Sequence, residues 1–263
     1  RINYDYDEKY MLSAIVRADG SSNFARGHRW GIFPSVAAGW VVSSEPWMEG
    51  TKSVLDYLKL RASWGQNGNC NVDNFQYLAT VAIGPDNGGY AFGHGALENW
   101  QTGSYADKLA NADISWETSE QIDLGFDARF FNNRLSVGFD WYDKRTKDLL
   151  VSIAPIPEIG VNSTYVNAGS VLNRGVELEL SWKDSIGDFN YNISGNISKL
   201  KNEVTYLDPS IYRLENSGPF YNNRMRTAFE VGYPIWYFRG YNLIGLNPDG
   251  TPIFEDVNKD GAI

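Results

Sequence analysis

From Gln121 to Phe131 the chain alternates without a break. Ile122, Leu124, Phe126, Ala128 and Phe130 fall on one side, Gln121, Asp123, Gly125, Asp127 and Arg129 on the other. A turn at Asn132-Asn133 follows, and the next stretch repeats the pattern, Leu135, Val137, Phe139 and Trp141 opposing Ser136, Gly138, Asp140 and Tyr142. Successive side chains of a strand point to opposite faces, so this pattern builds one apolar wall and one polar wall. The runs exceed the roughly five or six residues usual in globular sheets. They match the roughly nine to eleven that a tilted strand needs to cross a bilayer. The expected fold is all-β: an antiparallel, up-and-down segment of a transmembrane β-barrel.

Alternating stretches occupy 1–6, 9–19, 29–44, 57–65, 118–131, 134–150, 170–183 and 188–204, with further short candidates at 75–83 and 235–244. That is an open arc of about eight to ten strands, within the range of such barrels. A turn or two of helix suits 45–58. Asp7-Glu8, Asn132-Asn133 and the run 184–187 read as tight hairpin turns. Between them lie long links at 20–28, 66–117, 151–169 and 205–234, and one moderate link at 45–56. Short and long connections alternate, so one edge of the sheet is trimmed and the other carries the elaboration. Outer-membrane barrels have that asymmetry; a soluble sandwich has no reason to sort loops by edge. Tyr10, Phe130, Phe131, Tyr142, Trp182 and Phe189 fall near strand ends, where interfacial girdles sit.

The net charge is −9, with basic residues scattered, which argues against a nucleic-acid partner. No run approaches the length of a spanning helix, which leaves a barrel open because its apolar signal is spread over alternate residues. The single cysteine, Cys70, rules out an intrachain disulfide framework. The chain opens on Arg1 inside a strand-like run and stops at Ile263 after a Gly turn. It is expected to be a piece of something larger.

Several strings are familiar. Ile114-Ser115-Trp116-Glu117-Thr118, Ile122 to Asp127, Asn133-Arg134-Leu135, Asp140-Trp141-Tyr142, Thr146 to Leu150 and Asn167 to Glu179 resemble TonB-dependent outer-membrane transporters. Arg17 to Asn23 with Phe33-Pro34-Ser35 and Gly39-Trp40, then Leu58 to Asn69, then Gly232 through Tyr241 to Asp256–Gly261, resemble the SusC/RagA-like branch. The resemblance covers nearly the whole chain. It implies a bacterial outer-membrane location, TonB-dependent uptake of oligosaccharides or peptides, and a SusD-like surface lipoprotein over the extracellular loops. It also implies that residues 1–263 are a partial barrel domain, without the plug, the TonB box and the final strands.

The candidate sites are few. Asp256, Asn258 and Asp260, followed by Gly261, begin like a calcium loop, with oxygens at alternate positions. The alternative is a polar turn whose side chains bond their own backbone. No cofactor is otherwise required. Glu177 and Glu179 lie on one face at i, i+2 and invite a glycosidase reading. A hydrated lumen wall explains them as well as Asp123, Asp127 and Asp140, and with two histidines and no nucleophile motif the chain is not expected to be an enzyme. Loop aromatics are the best ligand candidates: Tyr90, Trp100 and Tyr105 in the longest link, Trp236, Tyr237 and Tyr241 in or near the last. Exposed rings beside amide and acid groups suit sugars or peptides; the alternative is that they pack loops together. The rival to a lipid-embedded transporter is a secreted or surface all-β carbohydrate-binding module with a structural calcium. It requires the apolar faces to meet each other rather than lipid.

Overall fold

The computed structural model describes residues 1–83, 90–92, 99–153, 155–215, 225–257 and 259, the backbone alone at 90–92 and 99–100. Eight strands form one antiparallel sheet in which every strand pairs with its neighbours in chain order. They are β1 (Ile2–Tyr6), β2 (Tyr10–Gly20), β3 (Trp30–Val41), β4 (Leu55–Asn69), β5 (Glu117–Phe130), β6 (Leu135–Ile153), β7 (Thr164–Ile186) and β8 (Phe189–Leu207). β1 and β8 are the two edges, so the sheet is an open arc.

Register carries the alternation of each strand into two continuous faces. Opposite one another lie Leu60, Phe126, Phe139, Leu178 and Ile197, and one row away Arg61, Gly125, Asp140, Glu177 and Ser198. The apolar face is bare: Val16 is 71% exposed, Ile32 67% and Ile197 70%. Among the described residues no second sheet or helix covers it, which removes the sandwich that the soluble module requires. The six interior strands pair on both sides, as a sheet in lipid requires, while β1 and β8 each keep one unpaired edge.

The trimmed edge carries the turns between β1 and β2, β5 and β6, and β7 and β8. Asp7 and Glu8 have φ of 55° and 52°, and the Lys9 amide donates to the Tyr6 carbonyl at 3.0 Å, as a tight hairpin needs. The turn after β5 is longer than the expected two residues. Phe131, Asn132 and Asn133 all have positive φ, and Leu135 is the first to pair again, opposite Phe130. The link from β3 to β4 holds two 3-10 turns: Pro46–Thr51 lies within the 45–58 expected to be helical, whereas Val42–Ser44 replaces the last residues of the strand expected over 29–44.

Several strands outrun their expected bounds. β6 reaches Ile153 and β7 starts at Thr164, so the expected long link there shrinks to a short one. The cause is a bulge: register shifts between Thr146 and Leu149, Asp148 takes φ of 55°, and the alternation changes phase. The extra strands do form, but outside the wall. Thr80–Ile83 pairs with Ser104–Lys108, and Tyr90–Phe92 with Asn99–Gln101. Leu214–Glu215, Met225–Phe229 and Tyr237–Gly240 make a three-stranded sheet, and Leu243–Leu246 pairs with Pro252–Phe254.

Candidate functional site

On the polar face one guanidinium bridges carboxylates of two neighbouring strands. Arg61 on β4 donates Nε to Asp127 Oδ2 at 2.9 Å and Nη2 to Asp140 Oδ2 at 3.1 Å. The strand between, β5, has Gly125 at that row, so nothing separates the guanidinium from Asp140. A Cβ on Gly125 would stand 2.3 Å from Asp140 Oδ1 and 2.7 Å from the Phe139 carbonyl. Ser63 Oγ donates to Asp123 Oδ2 at 3.0 Å in the same wall. Glu177 and Glu179 join this face opposite Asp140 and Gly138. The sequence reading grouped the carboxylates but missed Arg61, whose partners become visible only once register is known.

The apolar face is bounded by rings. Tyr6, Tyr10 and Trp40 follow one another at 6.4 and 6.3 Å between centroids near the trimmed edge. Glu45, in the β3–β4 link, accepts Tyr10 Oη at 2.5 Å and Trp40 Nε1 at 3.1 Å. Those two donors, the tyrosine first, hold its carboxyl below the usual carboxylate range. Phe131 bridges Phe130 and Trp182 farther along. Rings with apolar bodies and polar tips belong at a lipid–water boundary. Tyr142 departs from the girdle expected of it: it lies on the polar face, opposite Gly175, and a Cβ there would meet its hydroxyl at 2.6 Å. Its position near a strand end suggested a belt; its parity puts it on the other side.

At the elaborated edge the long links fold into a rim. Ile114 is fully buried, Trp116 packs on Phe24 and Phe33, and its Nε1 donates to the Arg29 carbonyl at 3.1 Å. Asn167 on β7 accepts the Ser115 amide at 2.9 Å and donates to the Ser115 carbonyl at 3.0 Å. Asn23 donates to the Cys70 and Val72 carbonyls, both at 3.1 Å. Thus the β4–β5 link is fastened on both flanks. A second cluster, Val171, Val204, Leu207 and Phe229, anchors the segment after β8.

A family model described as TonB dependent receptor-like, beta-barrel, matches residues 1–253. The chain belongs to that family. It is 34% identical to the TonB-dependent receptor SusC of Bacteroides thetaiotaomicron over 276 residues, covering all of this chain and 27% of the relative. It is 32% identical to TonB-dependent receptor P3 of Formosa agariphila over 283 residues, again covering all of this chain and 27% of the relative. Among solved structures, the RagAB peptide transporter superposes with a TM-score of 0.79 at 26% identity, over 99% of this chain and 27% of that one. The chain therefore spans about a quarter of the length of these relatives.

As part of a TonB-dependent receptor barrel, the arc lies in the outer membrane, its apolar face toward lipid and its polar face toward the lumen. The family is one of receptors, not enzymes, and the secreted-module alternative is set aside. Outer-membrane barrels keep short turns on the periplasmic side, so the rim is extracellular.

The candidate loop aromatics belong to different small sheets and links. Tyr105 lies on Ser104–Lys108, and Tyr90 and Trp100 on the neighbouring hairpin, their side chains outside the described residues. Trp236 packs on Phe229 at 5.9 Å. Tyr237 stacks on Tyr233 at 4.6 Å and donates its hydroxyl to Glu230 Oε2 at 2.7 Å. Burial, then the Glu230 partner, push its pKa up to about 12. Tyr241, about half exposed, tilts against Phe254 at 5.3 Å. Of the calcium-like residues, Asn258 and Asp260 lie outside the described residues, while Asp256 Oδ1 accepts the Lys259 amide at 2.7 Å.

Proposed function

We propose that this barrel wall serves active uptake of oligosaccharides or peptides across the outer membrane, energised through TonB and working beneath a SusD-like surface lipoprotein. The observation that carries the reading is a single-layered wall with an uncovered apolar face, a charged face on which Arg61 bridges two carboxylates, and a folded rim at one edge only. The likeness to the RagAB peptide transporter supports the peptide class, and the oligosaccharide class rests on the resemblance to the SusC/RagA-like branch. In this reading Tyr90, Trp100, Tyr105, Trp236 and Tyr241 offer rings to substrate, and Tyr237 holds the last loops in place. Asp256, Asn258 and Asp260 would offer their oxygens to an extracellular calcium ion.

The test is uptake of labelled oligosaccharides and peptides by cells expressing the receptor with its lipoprotein. Accumulation of one class that disappears when TonB is deleted is the expected result. Entry that continues without TonB, or entry of neither class, would overturn the proposal.

A further inference from the structure

The outward face is not uniform. On β1 to β4 its positions, from Ile2 and Tyr4 through Leu12, Val16 and Ile32 to Trp64, carry no charge anywhere along the strands. On β6 to β8 the apolar run stops abruptly toward the rim, and cations take over. Arg174 lies opposite Asp143 and Lys201, with Lys199 one outward position below on β8 and Arg145 one above on β6. Lys147 follows Arg145 toward the rim.

The carboxylates on the same face do not cancel this charge at the surface. Asp143 is 5% exposed and lies beneath Arg145 and Arg174, whose side chains remain 58% and 48% exposed. Glu120 accepts both Trp64 Nε1 at 2.9 Å and Lys147 Nζ at 3.1 Å. Glu203 pairs with Lys201, which is itself 71% exposed. Lys199 is exposed and has no ion pair among the described residues. A chain of net charge −9 thus concentrates five cations against three carboxylates on one outward patch. Immediately rimward, Arg145, Lys147, Leu172 and the hydroxyl-bearing Ser170, Thr205 and Tyr206 line a hollow of about 440 Å³.

We propose that this patch seats the phosphorylated headgroup of an anionic outer-leaflet lipid. The height fits: the patch begins where the lipid-facing apolar rows end, with Trp64 and Trp141 marking the boundary. The chemistry fits as well. Guanidinium forks and ammonium groups bind phosphate oxygens through charge-assisted hydrogen bonds. Basic clusters beside the hydrocarbon boundary attract anionic lipids. The acyl chains of such a lipid would lie along Val176, Leu178 and Ile197, below the cations. Within this eight-strand arc, confinement of the cations to three strands marks a local site rather than a band shared by every strand.

The test uses the receptor purified from outer membranes in detergent, with lipid retention read by native mass spectrometry. The probes are lipid A, its dephosphorylated form, and inorganic phosphate as competitor. Lipid A should be retained roughly tenfold more strongly than the dephosphorylated form. The triple variant Lys147→Gln, Lys199→Gln, Lys201→Gln leaves the buried Asp143 pairs intact and should reduce lipid A to the dephosphorylated level. Lys144→Gln, a charge removed from the lumen face of β6, should change nothing. Equal retention of both lipids would show that the apolar wall alone binds them. Unaltered retention by the triple variant would overturn the site, and full displacement by inorganic phosphate would overturn the lipid as its occupant.

Discussion

The membrane wall and the extracellular rim are made from the same strands but hold together by different means. In the wall nearly every side chain stays accessible; of the buried apolar residues only Ala128 lies well inside it. Its cohesion is interstrand hydrogen bonding, and the solvent for its apolar face is lipid. The rim buries Phe24, Phe33, Ile114, Val171, Val204, Leu207, Ala228 and Phe229, drawn from stretches far apart in sequence. There water is the solvent and the hydrophobic effect does what hydrogen bonding does below. One polypeptide thus obeys two rules, and the change occurs within single strands: β7 runs from Thr164, in the rim, to Ile186, at the periplasmic edge.

The sharpest way to break this comparison is to empty the rim. Phe229 is 1% exposed against Val171, Val204 and Leu207, so Phe229→Ala should destabilise the rim by about 3–5 kcal/mol. Hydrogen exchange locates the damage. The Val204 amide donates to the Tyr233 carbonyl and the Gly232 amide to the Val204 carbonyl, and both should exchange faster. Amides around Leu178 should not. Acceleration of both regions together would mean that rim and wall are one cooperative unit.

The converse test charges the wall. Leu178→Arg, in the row of Phe139 and Ile197, should cost about 2–4 kcal/mol near the bilayer midplane. Glu177→Arg, one residue away beside Asp140 on the lumen face, should be close to neutral. Folded yield in membranes, read from heat-modifiable gel migration, separates them. Equal tolerance of the two would reverse the assignment of faces.

The wall was legible because its rule is local. Period-two alternation identified all eight strands, and loop lengths identified which edge is elaborated. What escaped depended on phase or on distance. The bulge at Asp148 shifts the alternation, so 151–153 and the stretch from 164 to 169 read as loop although they belong to paired strands. Phe131 looked like the end of a strand, but its positive φ puts it in the turn. The rim was the least legible part. Ser115 and Asn167 stood out in family-like strings, yet nothing local says that they bond each other. The ligand-candidate rings were readable as exposed loop aromatics; that Tyr237 and Trp236 already pack against Tyr233 and Phe229 depends on contacts that no periodicity encodes.

A smaller effect should come from the lumen face of the wall, where close approach rather than lipid sets the limit. Gly125→Ala places a methyl against the Phe139 carbonyl and the Asp140 carboxylate. Overpacking of this kind costs about 1–3 kcal/mol. The Asp140 side chain can swing away, so the loss should appear with weakening of its bridge to Arg61. Adding Asp140→Ala should therefore recover part of the thermal midpoint. No recovery would assign the whole cost to the backbone contact.

The smallest effect belongs to the rim and is read by pH. Tyr237 is held neutral in the folded state, its pKa raised to about 12 by burial and by Glu230, against an ordinary value of 10.0. Between those two values the unfolded chain loses this proton while the folded chain keeps it. The unfolded state then binds fewer protons, so stability falls as pH rises. The contribution is fully present below pH 10 and is lost on approach to about pH 12. Tyr237→Phe should cost about 1 kcal/mol at neutral pH through loss of the hydrogen bond to Glu230. It should also flatten the alkaline fall in rim protection relative to the parent, while wall protection follows one pH curve in both. An identical alkaline slope in parent and variant would show that the Tyr237 hydroxyl titrates freely, leaving ring stacking on Tyr233 as its only hold on the rim.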